Sequence, residues 1–299
     1  MSDPSQMLER ERRWAGPVSV CIALAIAAQV ASLLAVQSAD LPNTNDLAPT
    51  LRAIDSASSD LLVASLLKAV GFVFFVAPLA YLFKAASARD QGVRPRLIGV
   101  VVAGPLFLAA GAVVQQVAFN HVSADFVSQL PVKDPESTAK DLQGGSTLLQ
   151  FSLGLSLAGT IGFLFGIIYT SRRAAGCGLL TRFWGTIGTV SGIALALATV
   201  APAMAQVAIM LITVFLVYLL LLFLDRIPGR ERPPAWDAGR AIPWPAPQPG
   251  RRGGLFGGSP PGPRPDPETV EGTGAEASVE PANPPRERGE RRKRKRRRT

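Results

Sequence analysis

Between residues 17 and 225 the chain consists of apolar runs of roughly 20 residues separated by short charged gaps, and this length constrains the fold more than any motif. A hydrocarbon core about 30 Å thick is crossed by about 20 helical residues rising 1.5 Å each. Six such runs can be read, over 17–37, 60–83, 97–119, 147–170, 183–203 and 205–225. The expected fold is an all-α polytopic transmembrane bundle of about six spans. Bulk composition would not have decided this, since 48% hydrophobic and 18% charged residues with a mean hydropathy of +0.25 also suit a large soluble domain. The first run follows Arg10, Arg12 and Arg13 as a signal peptide would. It is longer than a signal's apolar region and lacks a clean cleavage site, so a retained span is expected.

Charge placement orients the bundle. The N-terminal segment 1–16, the 84–96 gap and the 171–182 gap carry ten basic residues, including Lys84, Arg89, Arg94, Arg96, Arg172, Arg173 and Arg182. The intervening gaps, 38–59 and 120–146, carry only Arg52, Lys133 and Lys140 among several acids, which reads as solvated outer loops. By the positive-inside rule both termini are cytoplasmic, and the expected location is the cell's inner (plasma) membrane. Trp14, Tyr81, Tyr169 and Trp184 fall near the cytoplasmic boundary, where amphipathic rings are favoured. The last two runs are parted only by 201–206, a tight outer hairpin around Pro202. Small residues at helical spacing (Gly99 and Ala103; Ala158, Gly162 and Gly166; Gly188 and Gly192) are expected to let helix backbones approach within the chain.

The net charge of +9 is uneven: residues 1–225 hold 14 Lys and Arg against 13 Asp and Glu, and residues 226–299 hold 17 against 9. Residues 226–245 form a Pro- and Trp-rich juxtamembrane segment. Residues 246–299 have too few large apolar side chains to offset the entropy of ordering, and read as a disordered tail. It ends in Arg291, Arg292, Lys293, Arg294, Lys295, Arg296, Arg297 and Arg298, a cluster suited to anionic lipid headgroups or an acidic partner. Aromatic residues are not interleaved with it, which disfavours nucleic acid; any such binding would be sequence-blind.

Catalytic chemistry is poorly supplied. Cys21 and Cys177 are far apart without a CxxC, His121 is the single histidine, and no phosphate-binding glycine loop is present. No cofactor, metal or enzymatic activity is expected. The candidate polar site is intramembrane: Lys68 and Gln29 each lie eight residues from the outer end of their runs, and Gln115 or Gln116, with Gln150, could line the same outer half. A lysine at that depth is either a functional group with a partner or a side chain snorkelling over about 12 Å.

Two further segments stand out, GLLTRFWG at 178–185 and PPAWDAGRAIPWP at 233–245. Together they resemble an uncharacterised family of bacterial six-span integral membrane proteins of unknown function, over roughly residues 17–245. The resemblance brings no activity, ligand or catalytic residue. It implies that 233–245 belongs with the membrane body, on its cytoplasmic face. Two functions are compatible with these features: a non-enzymatic scaffold or accessory protein with a basic cytoplasmic tail, or a small-solute transporter or channel using the polar residues around Lys68.

Overall fold

The computed structural model describes residues 4–39, 41, 42, 46–199, 201, 204–227 and 232–244. All of them belong to one compact unit, residues 1–246. The tail 247–299, with its terminal basic cluster, lies outside the described residues, as does Pro202.

The described chain is helical: α1 (Pro4–Ser38), α2 (Leu47–Ser56), α3 (Ser58–Arg89), a 3₁₀ turn (Pro95–Leu97), α4 (Ile98–Ser128), α5 (Pro135–Gly145), α6 (Thr147–Gly176), α7 (Arg182–Ala198), α8 (Met204–Phe223) and the short α9 (Ala235–Ala238). Five stretches are long and apolar enough to cross a bilayer: Ser5–Ser38, Ser58–Arg89, Pro95–Ser128, Thr147–Gly176 and Met204–Phe223. This is a multi-pass membrane protein by helix length and hydropathy. Its outward surface agrees, because large apolar side chains such as Leu34, Val63, Phe151, Leu153 and Met210 are left exposed in numbers that water would not tolerate.

Three differences from the sequence expectation have physical causes. Helix α1 extends well before its apolar stretch, and α3, α4 and α6 run on past theirs; in α1, α3 and α6 the added residues are rich in Ala, Leu, Arg, Lys and Glu, which are good helix formers. Helix α7 stops at Ala198, short of the expected 203; the Thr199 hydroxyl and N–H both turn back to Ala196 O, and Ala201 precedes a proline, which disfavours helical backbone. The gaps expected to be outer loops also hold helices, α2 and α5. Leu51 and Ile54 of α2, Ala139 of α5 and Leu61, Val122 and Phe126 of the long helices bury one another in a separate small core.

Helix pairing runs α1–α3, α3–α4, α4–α6, α6–α7 and α7–α8, and α8 returns to α1, so six helices close a ring in which α3 also touches α6. Phe163 of α6 fills the middle edge-on to Phe75 of α3, with ring centroids 5.0 Å apart. Around it Leu79, Leu82, Ile167, Phe215 and Leu219 are buried.

The α4–α6 pair is the closest. A Cβ on Gly104 would collide with the Gly162 and Phe163 backbone, and one on Gly162 would lie 2.9 Å from Gly104 Cα. Gly99, expected to share this role, meets nothing within 4 Å. The asymmetry gives a test: Gly104→Val should cost about 1–3 kcal/mol by overpacking, whereas Gly99→Ala should be neutral or slightly stabilising. Unfolding in detergent micelles measures both.

Candidate functional site

The most elaborate polar structure lies at the arginine-rich end, where α1 begins and α3 and α6 finish. Arg89 closes α3 with its side chain fully buried (0% exposed), so each of its donors needs an acceptor. Its guanidinium grips both carboxylate oxygens of Glu11 on α1, at 2.8 Å through Nη2. Its Nε donates to Ala235 O at 3.1 Å, and Nη1 also to Ala85 O. One cation thus ties α1, α3 and α9 together. Nearby, Arg173 of α6 pairs with Asp90 at 3.0 Å, and Asp90 also accepts from Gly92 N.

Residues 232–244 fold back onto this end through their aromatic side chains. Trp236 is buried, stacks on Tyr81 at 5.9 Å, meets Phe223 edge-on and lies beneath both Arg89 and Arg232. Its indole N–H donates to Leu179 O, and that of Trp244 to Leu180 O, both at 2.8 Å. Ile242 N donates to Cys177 O, and Arg182 Nη2 to Trp244 O. The two segments singled out by sequence, 178–185 and 233–245, are therefore partners. Gly178 is required where they touch: its φ is +77°, and a Cβ would strike Ile242 O. Residues 92–99, GVRPRLIG, share the G-x3-R-x2-G spacing of 178–185, but Gly92 has no positive φ, so the two turns are built differently.

At the opposite, acidic end, Glu136 of α5 caps α2. Its carboxylate accepts from Leu47 N at 3.0 Å and Ala48 N at 3.1 Å, with Lys140 at 3.5 Å. The Ala48 N–H, then the Leu47 N–H and Lys140, hold this carboxyl below the usual range against a smaller opposing push from desolvation. Because the folded-state value is depressed, the stabilisation is fully present above the unfolded value of about 4.3. It is lost as pH falls through the lower folded value. Glu136→Gln should accordingly be less stable than wild type at neutral pH, with the gap closing in acid. A gap independent of pH in detergent unfolding would refute the ionic cap.

The four intramembrane candidates are spread over different environments. Gln29 packs against Gly71, one turn from Lys68, beside a buried hydrogen bond from Ser32 Oγ to Ala64 O at 2.8 Å. Lys68 is itself exposed, yet it stands on the stripe of α3 whose other members, Leu61, Ala64, Ser65 and Gly71, are buried, with exposed Leu66 and Val70 on the opposite face; among the described residues it has no hydrogen bond or ion pair. Gln115 is exposed, while Gln150 donates to Gly144 O at 3.0 Å and closes the α5–α6 turn. Among the described residues no hydrogen bond joins any two of the four. Neighbouring Gln116 is the better connected, bonding Asn120, which reaches Ser58 O of α3.

Among the described residues no group of three or more His, Cys, Asp or Glu side chains could hold a metal ion. Cys177 is buried, and that burial, with a smaller contribution from Asp90, pushes its thiol up to about 11. It is therefore a protonated, unreactive group at neutral pH. No family model, curated protein or solved structure matches the chain.

Proposed function

We propose that this protein is a six-span, non-enzymatic membrane scaffold or accessory protein of the inner membrane, with both termini cytoplasmic. In this reading residues 232–244 are its clasped exit, and the basic tail is its interaction arm. The observation that carries this reading is the clasp: Trp236 and Trp244 hold the segment just before the tail against the end where α1 begins. Two features support six crossings. Helix α7 leaves the Arg182–Trp244 end and packs between α6 and α8, and its 17 residues reach the lower limit of about 17 for a span. The uncharacterised six-span family remains the proposed kinship, supported by the contact between the two segments that carry the resemblance.

Polar chemistry in the bundle goes into structure: the buried Arg89 pair and the Glu136 cap join helices, and the indole hydrogen bonds join residues 236 and 244 to the 177–182 turn. The alternative, a small-solute transporter or channel, rests on Lys68 alone. Lys68 has no hydrogen-bond or ion-pair partner among the described residues, and Ser58 begins the helix ten residues, about 15 Å, away, a distance that a lysine side chain snorkels in part.

The discriminating experiment is a thermal melt of the purified full chain against a panel of small solutes, beside Lys68→Leu. The scaffold reading expects no saturable stabilisation and an unchanged or higher melting temperature for the variant. A saturable shift abolished by Lys68→Leu would replace it with the transporter. For the tail, a peptide of residues 246–299 should bind anionic vesicles in preference to neutral ones, by roughly 1 kcal/mol per basic residue near the surface and less in high salt. Equal, negligible binding to both at low salt would remove the lipid-directed role of the basic cluster.

A further inference from the structure

At the arginine-rich end α1 and α3 border a groove of ≈ 570 Å³, a size typical of small-molecule sites, which span about 300–1,000 Å³. Its chemistry is graded along the helices. Arg10 of α1 and Lys84 of α3 stand at one end, both exposed. Toward the bundle centre the walls become apolar, with Val18 and Cys21 from α1 and Ala77 and Ala80 from α3. Arg10 lies eleven residues from Cys21, so the groove runs about 16 Å from charged rim to apolar floor. Trp14, 55% exposed, sits between the two zones, at the level where indole rings favour a membrane interface.

The one acid lining this groove is Glu11, and its carboxylate is already gripped by Arg89, while its backbone O accepts from the Tyr81 hydroxyl at 3.0 Å. Arg10 and Lys84 have no ion pair among the described residues. The rim therefore carries two uncompensated cations above an apolar trough. A free anion would satisfy the cations and leave the trough uncovered; a zwitterionic or neutral lipid would do the reverse. We propose that the groove binds one anionic phospholipid, its phosphate held between Arg10 and Lys84 and its glycerol and upper acyl chain laid against Trp14 and the floor. This site is separate from the basic tail and does not depend on what the tail binds.

The test uses the full chain in neutral detergent and reads Trp14 fluorescence, isolated as the difference between wild type and Trp14→Phe. Chain-brominated phosphatidylglycerol should quench it saturably, at a roughly fivefold or greater lower mole fraction than brominated phosphatidylcholine. The preference should vanish in Arg10→Gln/Lys84→Gln and persist in Arg94→Gln/Arg172→Gln, which removes two basic residues at the same end but outside the groove. Equal quenching by the two lipids in wild type would overturn the proposal, and so would a preference surviving the groove variant, as it would if the tail supplied it. Displacement by millimolar inorganic phosphate as effective as by unbrominated phosphatidylglycerol would assign the rim to free anions and overturn it as well.

Discussion

Replacing Arg89 by methionine should lower the unfolding free energy by about 3–5 kcal/mol. Methionine fills the space of the arginine stem, but it leaves the Glu11 carboxylate, only 12% exposed, without its counter-charge and Ala235 O without its donor. Glu11→Gln should cost less, because a neutral amide can keep one hydrogen bond without a stranded charge. The double replacement Arg89→Met/Glu11→Met should recover much of the loss, since an apolar pair removes both desolvation penalties. Denaturant titrations in detergent of the wild type, the two singles and the double give the coupling. A loss below about 1 kcal/mol for Arg89→Met would place the pair among surface ion pairs and contradict its burial.

Trp236→Ala should be comparably severe, about 3–5 kcal/mol, because it empties a site packed by Tyr81, Phe223 and two guanidinium groups. The larger effect should be local. Without the indole, residues 232–244 keep the Trp244 hydrogen bonds with Leu180 and Arg182 and the Ile242 hydrogen bond to hold them to the 177–182 turn. Trypsin should then cut after Arg240 far faster than in wild type, while the helices stay protected. Trp236→Phe retains the ring and loses the hydrogen bond to Leu179 O, a change of about 1 kcal/mol. Wild-type cleavage rates in Trp236→Ala would mean the segment is not clasped. Trp236→Ala and Arg89→Met should be non-additive, because each removes a contact of the other.

The long helices were legible from sequence because hydropathy and length act locally and apply to each helix separately. The gaps were less so. Leu47, Leu51 and Ile54 have the spacing of one helical face, and Asp134 followed by Pro135 is a helix-start signal confirmed by its cap on Ser137 N. Both lay hidden within loops expected from charge alone. The Arg89–Glu11 pair could not have been read, since 78 residues separate the partners and each looked like one more charge in a basic gap. Glu136 was equally invisible, because its partners are backbone N–H groups 88 and 89 residues away. The intramembrane candidates show the converse: depth along a span can be counted from sequence, but which face a side chain takes depends on the neighbouring helix. Gln29 settles on Gly71, whereas Lys68, one turn earlier on the same stripe of α3, stays exposed without a hydrogen-bond partner among the described residues.

The clasp and the six-span topology stand or fall on which side of the membrane residue 240 lies relative to residue 90. With α7 crossing, the two share a side; with only the five longer helices crossing, they would be on opposite sides and Trp236 could not reach Arg89. Reporters active only in the cytoplasm, fused after residues 90, 175 and 240, should all be active, and those fused after residues 50 and 135 should be silent. Activity at 90 with silence at 240 would contradict the clasp, and activity at 135 would reverse the orientation.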